Sequence, residues 1–70
     1  MSMIVLTPSG KLTAENTQGS GAEYAVLSLL YEANGPVDIE EVMDATRVDD
    51  EKALMIINRL ISKNYVKELQ

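Results

Sequence analysis

The apolar positions change period along the chain, and each change marks an element. In "MIVLTPSGKLT" (residues 3–13) Ile4 and Leu6 alternate with Val5, the twofold spacing of a strand. "TPSG" suits a type I turn, with Pro8 second and Gly10 fourth. Residues 1–13 are therefore expected to form a short N-terminal β-hairpin with arms Met3–Leu6 and Lys11–Thr13. "AENTQGSG" (residues 14–21) is small, polar and glycine-rich and reads as a flexible linker.

Helical spacing begins at Ala22. Val26, Leu30 and Ala33 form one stripe, flanked by Ala22 and Leu29, and the helix runs to Ala33. Tyr24, Leu27 and Tyr31 form a second apolar stripe, so this helix is either sandwiched within its domain or shared with another chain. "NGP" (residues 34–36) stops it, because Asn or Gly accepts the left-handed conformation and Pro cannot continue the helix. A second helix starts at Asp38, whose carboxylate can cap the amide of Glu41 while Glu41 reaches back. Ile39, Val42 and Met43 are its inner face, and it ends near Ala45 or Thr46. After "TRV" a third helix spans Asp49 to Lys63, with Asn64 as a left-handed stop, and "YVKEL" (65–69) alternates as a strand.

Composition narrows the chemistry. Seventy residues bury only about 60% of their unfolded surface. Cysteine and histidine are both absent, which excludes disulfides and Cys/His metal sites and removes the commonest acid–base and nucleophilic groups. No apolar run approaches a membrane span of roughly 18 residues, and no basic-then-apolar leader is seen, so a cytoplasmic location is expected. "GSG" (19–21) lacks the lysine and spacing of a phosphate-binding loop. The carboxylates Asp38, Glu40, Glu41 and Asp44 read as a solvated helix face. The expectation is a protein that is not an enzyme and has no cofactor, metal or small-molecule ligand.

Net charge is −5, but it is unevenly spread. Residues 1–46 hold one base, Lys11, against seven acids. Residues 47–70 hold five bases, Arg47, Lys52, Arg59, Lys63 and Lys67, against four acids.

The segment "GPVDIEEVMDATRVDDEKALMIINRLISKNYVKE", Gly35 to Glu68, resembles the winged helix-turn-helix family, with "RLISKNYVKE" its most specific part. The resemblance implies an α+β, mainly α fold over residues 22–70: a three-helix core, a short strand near Val37, and a third helix that serves as recognition helix. Two departures stand out. Arg47 replaces the usual glycine of the inter-helix turn, and the sequence reaches Gln70 after the first wing strand. The expected form is thus a truncated C-terminal wing strand, with the N-terminal hairpin pairing with Tyr65–Leu69 or covering the first helix.

Placed at 100° steps, Ala53, Leu54, Ile57, Leu60 and Ile61 face the core, while Lys52, Arg59 and Lys63 face outward with Met55 and Ile56 beside them. The family resemblance makes Lys52, Arg59 and Lys63, with Arg47 and Lys67, candidates for contact with double-stranded DNA, as in a small transcriptional regulator. Against this stand Asp49, Asp50 and Glu51 at the end of the helix that would enter the groove deepest. They complement the helix dipole whichever partner is bound. The alternative is a protein–protein interaction module that does not bind DNA. Tyr24, Leu27, Tyr31, Met55 and Ile56 are the candidates for that interface, including one between two copies in a homodimer.

Overall fold

In the computed structural model, which describes residues 2–16, 19 and 21–69, the first apolar run is a strand, β1 (Met3–Leu6). Six elements follow: α1 (Pro8–Asn16), α2 (Ala22–Ala33), β2 (Val37–Asp38), α3 (Ile39–Thr46), α4 (Asp50–Ser62) and β3 (Val66–Leu69). The fold is mainly helical, with one small antiparallel sheet in the order β2–β1–β3.

The N-terminal hairpin does not form. Lys11–Thr13, expected as its second arm, lies within α1. "TPSG" is the start of that helix: the Thr7 hydroxyl oxygen accepts from the Gly10 amide at 3.0 Å, and the Lys11 amide donates to the Thr7 carbonyl at 2.9 Å. Threonine as cap with proline at the first helical position serves a helix N-terminus as well as it serves a turn. The same hydroxyl donates to the Asn64 carbonyl at 2.6 Å, tying the start of α1 to the end of α4. The expected linker is shortened, since Ala14–Asn16 are helical; Thr17, Gln18 and Ser20 lie outside the described residues.

β1 pairs with β3 from Met3↔Leu69 to Leu6↔Val66, and with β2 at Met3↔Asp38 and Ile4↔Val37. The strand thus takes the place expected for the hairpin beside residues 65–69. Three left-handed residues shape the helical part: Asn34 ends α2, Arg47 ends α3, and Asn64 leads out of α4. Arg47, at φ 57°, occupies a conformation that glycine adopts with less strain. Asp38 caps α3, but its carboxylate accepts from the Glu40 amide at 2.9 Å, one residue earlier than expected. Among the described residues Glu41 does not complete a capping box.

Ile4, Val26, Leu30, Val42, Ile57 and Leu60 are the largest fully buried side chains. Leu27, Val37, Ile56 and Val66 complete the core between the sheet and α2–α4. No helix of the described chain is long and apolar enough to cross a membrane.

Candidate functional site: the outer face of α4

The inner face of α4 is Ala53, Ile56, Ile57 and Leu60. This differs from the face expected from spacing. Leu54 is 44% exposed, and Ile56, proposed for a partner surface, is buried at 7%. The helix is rotated by roughly half a residue step about its axis. Four consecutive apolar residues, Leu54 to Ile57, give periodicity little to choose between. Packing of α2, α3 and β3 around the helix sets the rotation.

Asp50, Glu51, Lys52, Leu54, Met55, Asn58, Arg59 and Ser62 are left exposed. They divide by chemistry. Asp50 and Leu54, one turn apart, share the edge toward α3, where Asp50 lines a shallow cleft with Glu40, Met43 and Asp44. Glu51 and Met55 run along the crest, with Met55 60% exposed. Lys52, Arg59 and Lys63 lie along the opposite edge. Among the described residues these carboxylates do not form a group that could hold a metal ion.

The basic edge is not uniform. Glu23, in the first turn of α2, reaches both Arg59 (Nη1–Oε2 3.6 Å) and Lys63 (Nζ–Oε1 3.1 Å). Lys52 takes part in no ion pair among the described residues. Arg47 is exposed in the turn between α3 and α4, and Lys67 is exposed on β3 opposite Val5. Asp49 stands at the N-terminal cap of α4 without a side-chain capping bond, and Asp50 and Glu51 fill the first turn.

The second apolar stripe of α2 is largely accounted for within the chain. Leu27 is buried, Tyr24 is half-buried, and Tyr31 donates its hydroxyl to Glu15 of α1 at 2.9 Å. Accepting that bond, and carrying a negative charge, Glu15 raises the Tyr31 pKa above its ordinary value. Tyr31 remains exposed at its rim, as does Leu12 on α1.

Spacing overlooked Glu23, Leu54 and the tether at Thr7. The Thr-Pro pair could have indicated the α1 start, whereas nothing local points Glu23 toward residues 59 and 63. Comparison with protein-family models, with curated proteins and with solved structures gives no match.

Proposed function

We propose that this chain is a non-catalytic binding domain of the winged-helix type that docks a protein partner, in the cytoplasm, through the outer face of α4. The order α2, β2, α3, turn, α4, β3 supports the winged-helix reading, as does β1, which pairs with β3 as a returning wing strand would. The observation that carries the docking reading is the exposure of Leu54 and Met55 beside Asp50 and Glu51. Fully burying an exposed Leu or Met side chain contributes about 1.5–3 kcal/mol, and with Leu54 and Met55 each about half exposed, covering the pair contributes roughly that much in total. The fitting partner presents apolar side chains next to lysine or arginine, which would meet Asp50, Glu51 and the carboxylates of the α3 cleft.

A second reading, duplex DNA, is favoured by the line of Lys52, Arg59 and Lys63, with Arg47 and Lys67 as further phosphate contacts. Each phosphate neutralised would contribute about −0.9 to the salt slope. Three carboxylates at the end of the helix that enters the groove, and a fourth between two of the cations, weigh against it.

One pair of titrations separates the two. A synthetic amphipathic helix rich in Leu and Lys, added to the isotopically labelled chain at about 0.15 M salt, is expected to shift amides of Glu40–Asp44 and Asp50–Asn58. Leu54→Asp with Met55→Asp should abolish those shifts. A random-sequence duplex is expected to leave the spectrum unchanged at that salt. Saturable shifts with the duplex over Lys52–Lys63, and none with the peptide, would replace the docking reading with DNA binding.

A further inference from the structure

Glu23 sits where an external anion would be held. Each of its carboxylate oxygens takes one cation, Oε1 from Lys63 and Oε2 from Arg59, the arrangement that two non-bridging phosphate oxygens would adopt. All three side chains remain partly open to solvent, at 33% for Glu23, 57% for Arg59 and 48% for Lys63. Exposed pairs of this kind contribute little to stability. Glu23 belongs to the first turn of α2, where a negative charge suits the helix dipole, and Arg59 to the last turn of α4, where a positive one does. Those dipole effects would be satisfied without the two helices meeting. Their meeting has a separate consequence: the three cations along α4 act as two.

We infer that Glu23 is a specificity-determining residue, an internal phosphate mimic that keeps duplex nucleic acid off the basic edge of α4. The inference rests on the reading of α4 as the docking element. On a face whose acidic and apolar edge selects a protein, the remaining liability is the basic edge, which would attract polyanions without regard to sequence. A carboxylate between Arg59 and Lys63 lowers that attraction and repels a phosphate at contact range.

The test is duplex binding by the full chain and by Glu23→Gln, which keeps the side-chain shape and removes the charge. Anisotropy of a labelled random-sequence duplex would be read across a salt series starting near 0.02 M. Removing one unit charge at contact distance in water is expected to tighten binding about fivefold at low salt. The salt slope should steepen by about 0.9 as one more phosphate is engaged. Adding Arg59→Ala and Lys63→Ala to the Gln variant should abolish the gain. Thermal melting would confirm that the variants are folded, with Glu23→Ala as the second variant if Gln proves unstable. Equal affinity and slope for the full chain and the charge-removed variant would overturn the inference, as would a gain that survives loss of both cations. Failure of the docking reading is a different result: tight duplex binding by the unsubstituted chain at about 0.15 M salt.

Discussion

Gly10 packs directly beneath the main chain of Tyr65, so that a Cβ built on Gly10 would overlap the Tyr65 carbonyl oxygen. That oxygen also accepts the Thr7 amide at 3.0 Å, so it cannot move aside without breaking the connection between α1 and β3. Gly10→Ala should therefore destabilise the fold although Gly10 is helical. Overpacking against a backbone atom costs up to about 3 kcal/mol, offset by roughly 1 kcal/mol of helix propensity. A net loss of about 1–2 kcal/mol is expected in urea unfolding. An alanine variant as stable as the parent would show that α1 is not seated against Tyr65.

Thr7 holds the same junction from its side chain, accepting from Gly10 and donating to Asn64. Loss of both bonds in Thr7→Ala should cost about 1–2 kcal/mol, as expected of a lost cap. Thr7→Ser, which keeps the hydroxyl, should retain most of the stability. The comparison of the two melts is the readout, and equal losses would assign the effect to the methyl group instead.

Arg47 carries a left-handed backbone at the end of α3. A side chain there is strained by about 1 kcal/mol relative to glycine, less the entropy glycine gains when unfolded. Arg47→Gly is expected to stabilise the domain by a few tenths of a kcal/mol up to about 1. A lower urea midpoint for the glycine variant would mean that the guanidinium makes a contribution larger than the strain.

Rotation of α4 is tested by exchanging charge onto its two disputed positions. Ile56→Asp, at a buried site, should unfold the domain or cost more than about 3 kcal/mol. Leu54→Asp, at an exposed one, should stay within about 0.5 kcal/mol of the parent. The reverse order would restore the face that simple 100° spacing suggests.

The bond from Tyr31 to Glu15 predicts a pH dependence at the alkaline end. The folded-state pKa of Tyr31 is raised, because its neutral hydroxyl donates to a carboxylate. The folded chain therefore binds more protons than the unfolded chain between the two pKa values, and stability falls as pH rises there. The contribution is fully present below the ordinary tyrosine value, about 10, and is lost as pH passes the raised one. The quantity to measure is the parent minus Tyr31→Phe difference in urea midpoint. That difference should shrink above about pH 10; a constant difference would count against the Glu15 contact.

Ala22 to Leu69 was readable with small errors because each boundary there has a local cause. Asn34 and Asn64 tolerate a left-handed backbone, Asp38 is a capping residue, and Val26 and Leu30 keep helical spacing. The first sixteen residues were less readable. Thr7-Pro8 opens a turn or a helix with equal ease, and the choice is made by contact with Tyr65 and Asn64, far along the chain. On α4 the apolar run Leu54–Ile57 fits two rotations, and only its neighbours select one.

The sequence by itself determined the local grammar of this protein: where α2, α3 and α4 start and stop, the alternation of β3, and the uneven distribution of charge. These follow from conformational preference and spacing, which act over a few residues. Tertiary structure alone decided that β1 lies between β2 and β3, that Ile56 rather than Leu54 is buried, and that Glu23 meets Arg59 and Lys63. Those outcomes depend on packing between segments distant in the chain, where burial of one face against another outweighs any local preference.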